Sequence, residues 1–416
     1  VNAPDCTPNP EQAEMMRQLD TWYFGTDAPF ITVHGLAGTG KTTALKQWVK
    51  RNNLWAQPLA PTHKAASLWQ AGDGDPWETG RTVASFVYGK PQDPLERAKA
   101  KAALTKNVRD RREILTSVLH RSGTEAGQLR FNTLKDRDEK EQRALDNLDV
   151  VLLDEALYCS QESAEDLLGL GVRVIAFGDP GQLKPVNTVA GFSEPDITLT
   201  QVMRGGEGSP IPLIGAAVRH TQDVGTLTVG LRHYIGDPDE AAMVLGYTNA
   251  SVLAYNRHKV GDLTRVPEPG DRVVSHSKYG RMYKGDQFIV EKVEDVTPDE
   301  VTLTLRKVVN GSPTEERVFA PRAPRLVFEN PQLERQLYQG RQSVPALGWG
   351  YAITVHMAQG SEWDSVHLLP GWASCDEWRE LVYTAVTRAR HRFTTGPIIG
   401  ADAAWQAAAL RKLAGA

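Results

Sequence analysis

Cysteine is scarce in this sequence, and Cys6, Cys159 and Cys375 stand far apart. Neither a disulfide framework nor a Cys/His zinc site fits that spacing, and a reducing cytoplasm suits the chain. No apolar run is long enough to cross a bilayer and no signal-peptide pattern opens the sequence, so no membrane partner is expected. Excess basic charge is missing as well, since 47 Lys and Arg face 51 Asp and Glu for a net charge of −4. Bulk charge therefore does not advertise nucleic-acid binding, although local field rather than net charge governs such contacts and leaves room for a basic groove. A hydrophobic share of 41% and a charged share of 24% over 416 residues exclude a disordered chain and argue for two or more globular domains.

What the sequence does hold is FITVHGLAGTGKTT, from Phe30 to Thr43. A short apolar strand runs into a glycine-rich turn and then into a helical pattern, the setting of a phosphate-binding loop. The turn Gly35, Ala37, Gly38, Thr39, Gly40 lets successive backbone N–H groups curl around a phosphate chain, and Thr43 continues the helix whose positive end adds to it. Lys41 is placed for the β- and γ-phosphates and the Thr42 hydroxyl for Mg²⁺. A second buried run, VVLLDEA, ends in Asp154 and Glu155. Two adjacent acids at the end of an apolar strand are costly unless used. The first would serve Mg²⁺ and the second the attacking water. A third run, Val172 to Phe177, leads into GDPGQLKPV, whose tight turn aims Gln182 at the γ-phosphate or its water.

The rest of the chain is read around these pieces. Asn9 or Pro10 starts a helix with Gln12 in its first turn, either a solvated side chain or an adenine contact. APTHKAA sets Thr62, His63 and Lys64 at the carboxyl end of a strand, where open α/β sheets gather ligands. RTVASFVYG carries Ser85 and Phe86, the latter either a core residue or a platform for stacked bases. Residues 90–149 are crowded with charge at helical spacing and read as a helical hairpin inserted in the first domain, either simply solvated or projecting toward nucleic acid. Near residue 193 a second module is expected to begin. It holds Arg204 after a strand-like run, Asn249 at a strand–helix junction, Thr354, His356, Gly360 and Glu362 in ITVHMAQGSEW, and Arg388 in YTAVTRAR. Alone, either arginine is a salt-bridge partner; beside a nucleotide loop both are candidate fingers that neutralise charge on the transferred phosphoryl. Between 263 and 343 the Val-rich alternation, with turns at Gly270–Asp271 and Gly285–Asp286, reads as a small antiparallel barrel.

The order and spacing of GLAGTGKTT, APTHKAA, TVASF, VVLLDEA, FGDPGQLKPV, LTQVMRG, YTN, ITVHMAQGSEWDSV and YTAVTRAR resembles the superfamily-one helicases, and within them the RecD/Dda-like group that moves 5′ to 3′. The resemblance implies an α/β fold of two RecA-like parallel-sheet domains. The first would span 1–89 and 150–192, with the helical insertion at 90–149 as a possible wedge. The second would span 193–262 and 344–416, with an SH3-like barrel inserted at 263–343. Carried over to these positions, it implies that Gln12 contacts adenine, Lys41 and Thr42 hold phosphates and Mg²⁺, Asp154 and Glu155 serve Mg²⁺ and water, and Gln182 senses the γ-phosphate. Arg204 and Arg388 would act as fingers and Glu362 would contact the ribose, with Gly360 beside it. Thr62, His63, Lys64, Ser85, Phe86, Asn249, Thr354 and His356 would track the strand. The expected protein is a monomeric ATP- and Mg²⁺-dependent helicase of a bacterial or phage-infected cell. Its partners would be single-stranded DNA, forks, and replication or recombination proteins. The competing expectation is a translocase that displaces bound proteins without processive unwinding.

Overall fold

A computed structural model describes residues 7–69, 75–87, 148–184, 189–203, 209–277, 279–329 and 345–396. The helical insertion expected at 90–149 lies almost wholly outside the described residues, and so does Arg204. The chain divides into two compact units, Val1–Pro180 with Lys184–Arg204, and Gly181–Leu183 with Gly205–Ala416.

The first unit is built on six strands: β1 (Phe30–Gly35), β2 (Ala56–Ala60), β3 (Arg81–Thr82), β4 (Val150–Leu153), β5 (Val174–Gly178) and β6 (Ile197–Leu199). They lie in the order β3-β2-β4-β5-β1-β6, and every neighbouring pair is parallel. Strands β2, β4 and β5 are buried along their whole length, the signature of a parallel sheet covered on both faces. Alternation sorts β4 onto the two faces. Val150 and Leu152 join one core with Met15, Leu19, Leu45 and Trp48, while Val151 and Leu153 join another with Leu59, Val83, Phe86 and Leu167. The first core is closed by the helix Pro10–Gly25, which begins as the sequence suggests, with Asn9 as cap and Pro10 in the first turn. Ile197–Leu199, read as the opening of the second module, instead pairs with β1 as an edge strand of the first sheet. The division between units therefore falls after Arg204 and not at 193.

The second unit contains β7 (Met243–Gly246), β8 (Arg272–Ser275), β9 (Gln287–Val296), β10 (Glu300–Val309), β11 (Ser312–Pro324), β12 (Leu347–Trp349), β13 (Ala352–Thr354), β14 (Trp363–Leu368) and β15 (Ala389–Thr395). Four of these form a second parallel sheet in the order β13-β7-β14-β15. The helices Pro210–His220 and Trp378–Val386 add Ile214, Val218, Leu381 and Val382 to its core. The other five form an antiparallel sheet in the order β11-β10-β9-β8-β12, with register shifts along β10. The alternating stretch thus pairs antiparallel as read, and it extends past 343 to take in Leu347–Trp349.

Two buried polar groups join the small sheet to the parallel one. Asn256, 3% exposed, accepts from the Ala352 N–H and donates to the Trp349 and Ala352 carbonyls. Asp271 receives both Nη atoms of Arg265 at 2.7 and 2.8 Å, the Tyr351 hydroxyl at 2.7 Å and the Glu268 N–H at 2.7 Å. Burial pushes the Asp271 carboxyl up, but these donors outweigh it and hold it below the usual carboxylate range, while burial and Asp271 push the Tyr351 hydroxyl up to about 12. Removing one partner of such a pair leaves a buried charge uncompensated. Asp271→Ala is expected to lower the unfolding free energy by about 3 kcal/mol at neutral pH. Because the folded pKa is depressed, this contribution is complete above the unfolded value of about 4 and disappears as pH falls through the lower folded value. Denaturant titrations of both proteins at neutral and acid pH check the size and the direction.

Candidate nucleotide and strand-binding sites

Strand β1 ends at Gly35, and the helix Lys41–Arg51 begins six residues later with Gly40 as its cap. Gly38 and Gly40 have φ of 81° and 76°, the left-handed region that glycine enters without a Cβ penalty. A Cβ on Gly40 would meet Gln12 Nε2 at 2.5 Å, and one on Gly35 would meet Thr39 Oγ1 at 2.9 Å and Lys41 Cδ at 3.1 Å. The loop is braced from outside by Gln12 Nε2, which donates to the Thr39 carbonyl at 2.9 Å, and by the Met203 N–H, which donates to the Gly38 carbonyl at 2.7 Å. Lys41 Nζ lies back on the loop, donating to the Gly35 and Leu36 carbonyls at 2.6 and 2.9 Å.

Gln12 has work of its own. Its Oε1 accepts from the Asn9 N–H at 3.0 Å and the Asn9 side chain accepts from the Gln12 N–H at 2.8 Å, a reciprocal helix cap. The side chain expected to read adenine is therefore also a strut between the first helix and the loop. Its neighbour Glu11, which nothing in the sequence marked, accepts from the Thr200 N–H, the Thr200 hydroxyl and the Gln201 N–H. These bonds hold its carboxyl below the usual range and tie the helix start to the segment that reaches Met203.

Strand β4 delivers Asp154 and Glu155 at its carboxyl end. Asp154 Oδ1 accepts from the Glu155 N–H at 2.8 Å and Oδ2 from the Trp69 indole N–H at 3.1 Å. Burial raises the Asp154 carboxyl, opposed by those two bonds and by the charges of Lys41 and Lys46. Glu155 sits at φ 52° and ψ 39°, a conformation that costs a non-glycine residue about 1–3 kcal/mol. Among the described residues no cluster of three or more His, Cys, Asp or Glu could cage a metal. The Asp154 carboxylate and the Thr42 hydroxyl are instead hard oxygen donors of the kind that hold Mg²⁺ together with phosphate oxygens. The glycine cradle, which a Cβ at Gly35 or Gly40 would crowd, likewise fits a triphosphate.

In the second unit Arg388 is 5% exposed. Its guanidinium donates to the Thr384 carbonyl, the Ser361 carbonyl and the Thr387 hydroxyl at 3.2, 3.3 and 3.2 Å, and no carboxylate pairs with it among the described residues. Gln182 is buried, and the tripeptide Gly181–Leu183 that contains it groups with this unit. Gly360, at φ 74°, turns the chain before Glu362, whose carboxylate faces Arg390 at 3.4 Å.

The expected strand contacts divide. Thr62 is exposed and caps the helix His63–Ser67 through the Ala65 N–H, which puts His63 and Lys64 in its first turn. Ser85 is half-buried and bonds back to Thr82. Phe86 is a correction: at 6% exposure it packs with Val83, Val151 and Leu153 beneath the Arg81 guanidinium and offers no face to a base. Asn249 is exposed in the first turn of the helix Asn249–Val260. Thr354 accepts from the Met357 N–H. His356 is half-buried, its pKa lowered by burial, and its Nε2 has no partner among the described residues.

Strand, phosphate loop, helix and an acid pair at the end of β4 in the same sheet define a P-loop nucleotide-binding module, followed here by a second parallel α/β module. Residues 7–213 match the family described as an AAA domain, and residues 350–394 match the UvrD-like helicase C-terminal domain. The ATP-dependent RecD2 DNA helicase of Deinococcus radiodurans is 29% identical over 293 residues, 64% of this chain and 38% of that protein. A probable conjugal transfer protein TraA of Sinorhizobium fredii is 24% identical over 404 residues, 89% of this chain and 31% of that protein. The chain thus spans about a third of the length of these curated relatives. The structure of a Pif1 helicase from Bacteroides with ADP-AlF3 and single-stranded DNA has a TM-score of 0.58 at 17% identity, covering 98% of both chains. Pif1 helicase from Candida albicans gives 0.56 at 14%, covering 95% of this chain and 96% of that one. At that identity the likeness speaks for the fold. By these matches the chain is similar to the RecD/Pif1-like branch of the superfamily 1 helicases.

The strained backbone at Glu155 separates stability from chemistry. Glu155→Gly relieves the left-handed conformation at the cost of glycine's extra freedom when unfolded, and should raise stability by about 1 kcal/mol. The same variant should lose nucleoside triphosphate hydrolysis. Thermal unfolding and phosphate release, measured on one preparation, test both halves.

Proposed function

We propose that the chain is an ATP-dependent DNA motor that moves 5′ to 3′ along single-stranded DNA and separates duplex ahead of it. The observation that carries this reading is Arg388. A buried guanidinium held, among the described residues, only by neutral oxygens is expensive unless an anion completes it. It stands between the helix Trp378–Val386 and β15, in a parallel α/β module that has no phosphate loop of its own among the described residues. A plain nucleotide-binding domain has no need of that second module; a motor does.

In the proposed cycle the loop from Gly35 to Thr43 cradles the triphosphate, and Lys41 leaves its carbonyl partners for the β- and γ-phosphates. Bound Mg²⁺ supplies charge neutralisation, held by Thr42 and Asp154 with the phosphates. Glu155 orients the attacking water and takes its proton. Gln182 responds to the γ-phosphate, Arg388 and Arg204 neutralise charge developing on the transferred group, and Glu362 and Gly360 meet the ribose. Strand contacts come from Thr62, His63, Lys64, Ser85, Asn249, Thr354 and His356, through the backbone and therefore without sequence preference. The five-stranded antiparallel sheet corresponds in this reading to the small barrel of the RecD-like group, the helical insertion to an element at the fork, and the working form is a monomer. Direction rests on resemblance to the RecD-like group and on the place of that sheet between β7 and β13.

Lys41→Ala should abolish ATP turnover while leaving single-strand binding measurable by fluorescence anisotropy. Arg388→Ala should keep nucleotide affinity within about tenfold and lose turnover by about 10³-fold or more, since finger losses fall on the transition state. Retained turnover at saturating ATP would remove Arg388 from the mechanism. On forks with matched tails, only the 5′-tailed substrate should be unwound. DNA-stimulated hydrolysis without unwinding of either fork would mark a translocase that clears proteins.

A further inference from the structure

Trp69 is buried to 1% exposure, and no feature of the sequence marks it as more than core. Its indole N–H nevertheless points at a carboxylate and not at a backbone group, meeting Asp154 Oδ2 at 3.1 Å. The other oxygen is held by the Glu155 N–H. With one donor on each oxygen, the carboxylate plane is fixed and only its remaining lone pairs are open to a cation. The indole is itself locked. The Trp69 N–H donates to the Ala66 carbonyl, its carbonyl accepts from the Gly80 N–H, and its ring packs at 6.2 Å from Phe177 and carries Lys46 Nζ at 4.6 Å. Gly80 is required for that seat, because a Cβ there would lie 2.1 Å from the Ala66 carbonyl and 2.9 Å from the Trp69 Cβ.

The segment that carries Trp69 is also the one that carries Thr62, His63 and Lys64. The helix His63–Ser67 is short, and Trp69 follows it after one residue, still bonded to its last turn. The group that aims the acid of β4 is therefore rigidly connected to the residues at the carboxyl edge of β2.

We propose that Trp69 is a positioning residue of the nucleotide site, fixing the Asp154 carboxylate in the orientation that receives a nucleotide-bound divalent cation and linking it mechanically to the Thr62–Lys64 segment. This rests on the reading in which Asp154 serves the metal. Partners of this kind, one step removed from the ion, change metal affinity or activity by about 10–100-fold when they are lost.

The test uses binding of a fluorescent ATP analogue, with excess Mg²⁺ and again with EDTA, so that turnover is not the readout. Trp69→Phe should leave the EDTA affinity within twofold of the parent and lower the affinity gained on adding Mg²⁺ by about tenfold. Trp77→Phe is the control, because Trp77 also faces Lys46, at 5.2 Å, while the donors to Asp154 are Trp69 and Glu155. It should keep the full Mg²⁺ gain. If Trp69→Phe does not fold, as circular dichroism reports, β-(3-benzothienyl)alanine at position 69 keeps the ring shape and removes only the N–H, and the same loss is expected. A Mg²⁺ gain equal to the parent's in a folded protein lacking that N–H overturns the proposal. Asp154→Asn separates it from the reading beneath. If that variant also keeps the full Mg²⁺ gain, Asp154 is not the metal's carboxylate, and the assignment of the site fails along with Trp69.

Discussion

A lysine ammonium seated on two carbonyls of its own loop, 2.6 and 2.9 Å away, is the contact around which the first unit is arranged. Carbonyl oxygens are weak substitutes for phosphate oxygens, so the cation keeps a ready preference for the stronger acceptor. The loop can hold this shape only because Gly38 and Gly40 occupy left-handed backbone and Gly35 leaves room for the Thr39 hydroxyl and the lysine stem. Gln12 and Met203 then brace it from two different segments. Much of the ordering that a bound triphosphate would require is already present in the fold.

Several groups of this protein are kept in costly states. Asp154 is a desolvated carboxyl beside two lysines, Glu155 has a left-handed backbone, and Arg388 is a buried cation on neutral acceptors. Each is anchored to rigid structure. The two acids follow a wholly buried central strand, and the arginine bridges the carboxyl end of the helix Trp378–Val386 and the turn at Ser361. Strain and unpaired charge survive where the surroundings over-determine them, and such places are where chemistry is done.

Elsewhere polar groups are spent on architecture. Asn256, with three hydrogen bonds, and Asp271, with four, fasten the antiparallel sheet onto the second parallel one. Glu362 and Arg390 face each other within one unit, so a ribose contact by Glu362 would compete with that pair. Gln12 shows that the two uses combine in one side chain, because the same amide caps a helix and braces the phosphate loop.

Local chemistry by itself determined the phosphate loop, the acid-ended strand, the cap of the first helix and the alternation of the Val-rich segment. Each depends on neighbours within a few residues, on glycine torsions, capping hydroxyls and amides, or side-chain period. Tertiary structure alone decided the partners. Ile197–Leu199 has the same composition whichever sheet it joins, and only its pairing with β1 assigns it to the first. Leu347–Trp349 is claimed by β8 across more than seventy positions of chain. Phe86 lies in the core because β4 and the helix Gln161–Leu168 close over it, a contact that its own segment does not encode. The indole of Trp69 meets Asp154 across 85 residues. A pattern read along the chain registers what a residue is; which distant atom it faces follows from how the sheets stack, and that is a property of the whole fold.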